Sequence, residues 1–268
     1  MKRTLLLPPK RPAQVNYRSD FAVPTSAQLH TPIAQLWTPN LFDCPNAPPS
    51  QSDAERGHTI AETLLCNQGL YVYDFRAQLM VYASSGIEQL LGYSVANFTA
   101  DFHYACIHSE DLPIVTEATV LANKYVLVHL RDPLSDLVFS VDYRIRHVQG
   151  HWLRVLQQNF IMSRDPSGAV VGQAAILTDI STHKHTHDVR FNLNRPDFTA
   201  FVREEQLHKL PVPLSNREQT IVALVLEGLT SCAIAQRLSL STTTVQTHRR
   251  NIRHKVGTHS LHRLLQHL

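Results

Sequence analysis

Between Leu214 and Val256, apolar residues recur at helical spacing in three short runs. The first holds Ile221, Leu224 and Val225, the second Ile234, Ala235 and Leu238, and the third Val245, Ile252 and Val256. That period predicts three amphipathic helices whose apolar stripes share one core. Start signals punctuate them: Ser215 and Glu218 form an S-x-x-E capping box, Thr230 follows a helix-stopping Gly228, and Ser241 can cap the third helix. Upstream the pattern changes. Leu70–Phe75 and Gln78–Ala83 read as two strands around a tight turn, and Ser84–Tyr93 as a helical piece. An aromatic stretch runs through Phe98 and Phe102, after which Ile107–Pro113 opens a longer helix to about Lys124. Three strands follow, Leu137–His147, His151–Ser163 and Ala169–Ile180, divided by turns at Val148–Gly150 and Asp165–Gly168. The order β-β-α-α-α-β-β-β predicts an α+β fold, a five-stranded antiparallel sheet with helices on one side, followed by a separate all-α unit.

Prolines shape the rest. Those at positions 8, 9, 12, 24, 32, 39, 45, 48 and 49 deny a continuous helix or central strand to residues 1–57. A partly ordered arm is expected there, with Leu36, Trp37 and Phe42 as isolated anchors that nothing in the sequence assigns to a partner. A helical pattern from Asp53 to Leu65 leads into the sheet domain, taken as 58–182. Residues 183–212 mix charge with Pro196 and Pro211, and hold a β-like stretch (Val189–Leu193) and a helical candidate (Phe198–Lys209). They read as a linker that transmits the state of the first domain to the helical unit at 213–268.

Charge sharpens the picture of that last unit. The chain carries +3, yet from Pro211 onward seven Lys and Arg face two acids, a local +5 that leaves −2 for the remainder. No Asp or Glu occurs from Ala233 to the C-terminus. With Val245, Ile252 and Val256 turned inward, Gln246, Arg250 and Arg253 share the opposite face, flanked by Arg249 and Lys255. An acid-free helix with such a face is an electrostatic footprint for phosphate, and Gln and Arg have the paired donors and acceptors that read base edges. Complementing the helix dipole does not account for Arg249 and Arg250, which lie mid-helix, beyond the reach of that effect.

These residues resemble the LuxR/FixJ/NarL-type DNA-binding domain of bacterial transcription regulators. About 55 of the 268 residues carry the likeness: Arg217-Glu218, Glu227-Gly228-Leu229, Ile234-Ala235, Leu238, Ser241, Thr244-Val245, His248, Asn251-Ile252 and Lys255-Val256-Gly257. The resemblance implies that Gln246, Thr247 and Arg250 approach bases in the major groove of double-stranded DNA. Thr244, Arg249, Arg253 and Lys255 would contact phosphates. It further implies a four-helix domain that forms a homodimer on DNA through a fourth helix at Ser260–Leu268, and contact with RNA polymerase if the protein is an activator. Ala233 departs from the family, which commonly has an acid there, so the second helix loses its capping box. Leu261 stands where Arg is frequent, which unsettles the start of the fourth helix.

The preceding region resembles a PAS sensor domain over about 115 residues. The likeness rests on Ser84 to Tyr93, Ile107-His-Ser-Glu-Asp-Leu-Pro113, Tyr143-Arg-Ile-Arg-His-Val-Gln-Gly-His-Trp152 and the closing Leu177-Thr-Asp-Ile-Ser181. It implies a sensor or docking module and names no ligand. A haem would need an axial His on the long helix, which has none from Asp111 to Lys124; His103 and His108 precede it. Cys106 sits in Tyr-Ala-Cys-Ile-His, unlike the run that flavin photochemistry requires, and reads as a small buried residue. No cofactor is therefore expected, and the interior is filled by its own side chains or by a small apolar ligand. The alternating His183, His185 and His187 could gather imidazoles, but a solvated linker explains them, and no metal is expected. His147 and His151 flank a hairpin turn, and His248 fits the edge of the helical core.

Other classes fall on inventory. The chain has none of G-x-S-x-G, H-E-x-x-H, G-x-x-x-x-G-K-[ST] or G-x-G-x-x-G, and an enzyme is not expected. It also lacks the βαβαβ pattern of a phosphoacceptor receiver and the Trp- and Tyr-rich signature of an acyl-homoserine-lactone pocket. Four cysteines without a C-x-x-C pair favour a reducing compartment. Leu5-Leu6-Leu7 is too short for a signal-peptide core, and no apolar run approaches the roughly 20 residues of a membrane span. The expectation is a cytoplasmic, sequence-specific transcription regulator with a PAS-like input. The alternative is a protein-interaction adaptor with little intrinsic DNA binding.

Overall fold

The computed structural model describes residues 31–129, 136–208 and 214–256. The expected fourth helix at Ser260–Leu268 and the first thirty residues lie outside them. In chain order the elements are α1 (Thr31–Ala34), α2 (Gln51–Ala61), β1 (Gln68–Asp74), β2 (Leu79–Ala83), α3 (Ser85–Leu91), α4 (Ala100–Ala105) and α5 (Leu112–Val128). Then come β3 (Val138–Arg146), β4 (Trp152–Arg164), β5 (Val170–Asp179), β6 (Phe191–Leu193), α6 (Phe198–His208), α7 (Asn216–Leu226), α8 (Ser231–Leu238) and α9 (Thr242–Val256).

The strands form one antiparallel sheet in the order β2-β1-β5-β4-β3-β6. Five of them are those read from the sequence. The sixth, β6, adds to the edge of β3 with Phe139 opposite Leu193 and Val141 opposite Phe191. Alternation along β1 sorts its side chains between two layers. Tyr71, Tyr73 and Phe75 enter the main core with Ala118 and Leu121 of α5, while Leu70 and Val72 face the other way. There, with Met162 and Ala174, they meet Ile60 and Leu64 of the α2 region, so the second face of the sheet also carries a helix. Full burial of a side chain of this size contributes about 1.5–3 kcal/mol. The approach of α2 is close because Gly172 has no side chain: a Cβ there would run into the Asp53 carboxylate and the Ser163 hydroxyl. Asp53 Oδ2 accepts from that hydroxyl at 2.5 Å.

Helix α5 continues past Lys124 to Val128, and its start is held by charge rather than by a side-chain cap. Asp111 accepts from the Arg144 backbone N–H at 2.8 Å and from its guanidinium Nη2 at 2.6 Å, which ties the helix to β3. The arm has a definite berth from Ile33 onward. Ile33, Trp37 and Phe42 are buried in the main core, and Trp37 stacks on Phe75 with ring centres 4.4 Å apart.

The linker is folded onto the sheet domain. Besides β6, it supplies α6, whose Phe198 and Val202 are buried in the same core. Tyr125 Oη on α5 donates to Asp197 at 2.8 Å, its ring meets Phe198 and Phe201 edge-on, and Lys124 pairs with Glu205. Near the start of the linker, Lys184 Nζ bonds both oxygens of Asp142 at 2.8 and 3.0 Å, and the buried Arg154 pairs with the same carboxylate. Only residues 209–213 separate the end of α6 from Leu214.

Candidate nucleic-acid interface

Helices α7, α8 and α9 begin where the sequence signals place them. Ser215 Oγ accepts from the Glu218 N–H at 3.3 Å, and Glu218 Oε2 accepts from the Ser215 N–H at 2.8 Å, completing the capping box. Gly228 leaves α7 with φ +82°, a left-handed value that costs a glycine little. Thr230 caps α8 by accepting from the Ala233 N–H at 3.3 Å; Ala233 offers no return acceptor, so this cap is half a box. Ser239 turns left-handed at φ 52°, and Ser241 Oγ accepts from the Thr244 N–H at 3.0 Å to start α9. Three residues, Ser239 to Ser241, thus join α8 to α9.

The core of this unit comprises Leu214, Ile221, Val222, Leu224, Ile234, Ala235, Val245 and Ile252. With Val245 and Ile252 locked inward, the opposite side of α9 is wet: Gln246, Thr247 and Arg250 are all exposed. The Thr247 hydroxyl donates to the Thr243 carbonyl at 3.1 Å, and the exposed Thr244 hydroxyl lies 2.8 Å from Ser241 Oγ. Arg253 lies on the same helix, two turns on from Gln246; its side chain is outside the described residues.

Two of the expected phosphate-binding cations are engaged within the domain. Arg249 Nη1 donates to Ser231 Oγ at 3.0 Å, bracing α9 against the first turn of α8. Lys255 Nζ donates to Glu218 Oε2 at 2.8 Å. Chiefly through that bond, with the Ser215 amide behind it, the Glu218 carboxyl is held down to about 2. Arg217, one of the residues that carry the family likeness, has a structural contact that the sequence did not give: its Nη2 donates to the Leu238 carbonyl at 3.0 Å and closes the end of α8. None of these partners is a local neighbour, so no spacing rule reveals them. Arg250 carries an exposed positive charge on the face.

The sheet domain encloses a directed hydrogen-bond chain. Tyr143 Oη donates to Gln157 Oε1 at 2.6 Å, and Gln157 Nε2 donates to Asn159 Oδ1 at 2.9 Å. The hydroxyl hydrogen being committed, His103 Nε2, 2.7 Å from the same oxygen, carries the hydrogen and donates. The ring is thereby used by the core. Cys106 is buried, and desolvation pushes its thiol up to about 11. His183, His185 and His187 are exposed, and among the described residues no group of three or more His, Cys, Asp or Glu is placed to hold a metal ion. The His147 and His151 rings stack across the hairpin with centres 4.4 Å apart. An open cleft of about 700 Å³ runs beside the edge strand β2, lined by Met80, Tyr82, Val95, Phe98 and Asp101 among others. Among the described residues no helix is long and apolar enough to cross a membrane.

The family of bacterial regulatory proteins named after luxR matches residues 212–268, and a PAS fold matches residues 80–176. The Fimbriae Z protein of Salmonella typhimurium is 41% identical over 54 residues, covering 20% of this chain and 26% of that protein. Its counterpart in Escherichia coli K12 is 46% identical over 52 residues, covering 19% and 25%. The chain spans about a quarter of the length of these curated relatives. Among solved structures, the N-terminal domain of a diguanylate cyclase with PAS/PAC sensor from Marinobacter aquaeolei is 21% identical over 44% of this chain and 99% of that one, with a TM-score of 0.35. The VqmA dimer of Vibrio cholerae is 18% identical over 79% of this chain and 84% of that one, with a TM-score of 0.32.

Proposed function

From a chain that carries a luxR-family DNA-binding domain behind a PAS fold, we propose a sequence-specific transcription regulator whose sensor domain controls its DNA reader. The observation that carries this reading is the outward face of α9. Gln246, Thr247 and Arg250 stand exposed on a helix whose inner face is fixed by a packed core, in a stretch free of acids. In this proposal those three side chains meet base edges in the major groove, and Thr244, Arg249 and Arg253 meet phosphates on either side. Lys255 reaches phosphate only by exchanging Glu218 for it. Two copies bind two half-sites as a homodimer, and an activating form touches RNA polymerase. Such a reader works beside the chromosome, in the cytoplasm.

The sensor domain, taken as 58–182, receives a small molecule or a protein partner. The folded linker passes its state to the reader at 213–268. With α6 packed on α5 and five residues left before Leu214, a shift in that packing is felt by the reader over a short length of chain. Selection of bound sequences from a random duplex library by the full-length chain at moderate salt tests the proposal. An enriched, roughly palindromic motif is the expected result. Absence of enrichment from both the full chain and a 211–268 fragment sinks it in favour of a protein-interaction role.

A further inference from the structure

Trp37 reaches the interior of the sensor domain from outside the stretch that matches the PAS fold, which begins at residue 80. Its side chain is 1% exposed, and the ring lies 4.4 Å from that of Phe75 and 6.4 Å from that of Phe42. The indole Nε1 donates to Asn123 Oδ1 at 2.9 Å. Asn123 is oriented for this one donor, because its own amide N–H group is turned back onto the Thr119 carbonyl at 2.8 Å. A buried indole needs such a partner, and here it finds one side chain that α5 presents inward.

The surroundings are unusual for a core that needs only to be filled. Beside the indole is a hollow of about 30 Å³ lined by Phe75, Val126, Phe139, Asn159 and Gln173, among others. A second hollow of about 30 Å³, on the His103 side, shares Asn123, Asn159 and Gln173 with the first. Each has room for a water or two and nothing larger. Buried amides are costly where apolar side chains would serve, yet Asn123, Gln157 and Asn159 cluster at these hollows. The arm supplies part of the wall of each hollow, Trp37 in the first and Ile33 in the second. Removing the indole would join its own volume to the adjacent hollow, leaving a flat slot with Phe75 on one face and the Asn123 oxygen at its edge.

Besides Ile33 and Phe42, which are buried on either side of Trp37, the arm that delivers the indole is held by surface bonds. Gln78 Nε2 donates to the Ala34 carbonyl at 3.2 Å, the Asp43 N–H to Asp165 at 2.9 Å, and Arg76 Nη2 to the Pro48 carbonyl at 2.9 Å. Water competes for all three. We infer that Trp37 is an intramolecular stand-in for a free ligand. The slot between Phe75 and Asn123 takes a planar aromatic molecule with one N–H donor, of indole-like size, and that molecule and the arm exclude one another. This deepens the reading of the domain as a signal receiver and rests on it. The ligand competes with a tethered group at high effective concentration, so its apparent affinity is lowered by the fraction of time the arm is closed.

The test uses the full-length chain with Trp152→Phe, grown on 5-fluorotryptophan, so that Trp37 gives a single fluorine resonance. Indole is titrated in, with 1-methylindole and naphthalene as shape-matched probes that lack the donor. Indole is expected to move the resonance from a buried to a solvent-exposed position, with both other probes weaker by about tenfold or more, since they leave the Asn123 oxygen unpaired. A resonance unmoved up to the solubility limit of indole overturns the inference. So does equal displacement by 1-methylindole, which would mean that bulk and not the donor is recognised. The readout involves no DNA. Displacement in a chain that selects no operator would therefore leave the slot standing while the regulator reading fell.

Discussion

Lys255 Nζ lies 2.8 Å from Glu218 Oε2, the same oxygen that accepts the Ser215 N–H at the start of α7. One carboxylate therefore caps the first helix of the DNA-binding unit and fastens the last turns of the third. A group whose folded pKa is depressed gives stability above its unfolded value and loses it as pH falls through the folded one. For Glu218 the window runs from an ordinary 4.5 down to about 2. Glu218→Gln is expected to unfold at a lower temperature than the parent near neutral pH, and the gap should close as pH drops through that window. Thermal unfolding followed by far-ultraviolet circular dichroism reads this. A gap of constant size at every pH would show that charge is not its source.

The exposed face of α9 predicts two kinds of defect. Gln246→Ala or Arg250→Ala should each relax preference at one base pair by about 1–3 kcal/mol, leaving non-specific binding nearly intact. Arg249→Ala should weaken binding to every sequence and lower the salt slope by about one. Lys255→Ala, by contrast, should lower stability more than it lowers the slope, because its charge is already offset. Binding isotherms on an operator and on scrambled duplex at several salt concentrations separate these outcomes.

What the sequence revealed follows the range of the interactions involved. The caps at Ser215, Thr230 and Ser241 act over three residues, and all three form as spaced. The wet position of Gln246, Thr247 and Arg250 follows from helical period alone once Val245 is inward. Contacts between distant positions were illegible. Trp37 could be picked out as an anchor, but its partner Asn123 is 86 residues away. Phe191–Leu193 has β-rich residues, yet only the free edge of β3 makes it a strand. Lys255 and Arg249 show positive charge in the sequence and no sign of Glu218 or Ser231, 37 and 18 residues earlier. Composition shows where charge lies along the chain and is silent on what it faces.

Thiol chemistry should divide the four cysteines. Cys44, Cys66 and Cys232 are exposed, while Cys106 is buried with its thiol pushed up to about 11. At neutral pH almost none of Cys106 is thiolate, and reagents cannot reach it. A chromogenic disulfide reagent should titrate three thiols in the native chain and the fourth only after denaturation. Mass spectrometry of the labelled peptides identifies them. Rapid native labelling of Cys106 would mean that the α4–β3 region opens far more readily than its packing implies.

Asp142 sits between two cations, the buried Arg154 of β4 and Lys184 of the linker, and Lys184 also donates to the Asp188 carbonyl at 2.7 Å. Removing the acid leaves a guanidinium that is 5% exposed facing a second positive charge, although Asp111 remains 3.5 Å from the other side of Arg154. Breaking a buried pair in this way costs about 3–5 kcal/mol. Removing Lys184 instead leaves Asp142 still paired with Arg154, and Lys184 is closer to water, so that loss should be distinctly smaller. Asp142→Ala should therefore destabilise the sheet domain in urea, whereas Lys184→Ala should mainly loosen the linker. Hydrogen exchange over residues 181–193 discriminates: it should rise in Lys184→Ala while the strands β4 and β5 stay protected. If both variants lose global stability equally, the linker is an integral part of the core and cannot be released on its own to signal to the DNA reader.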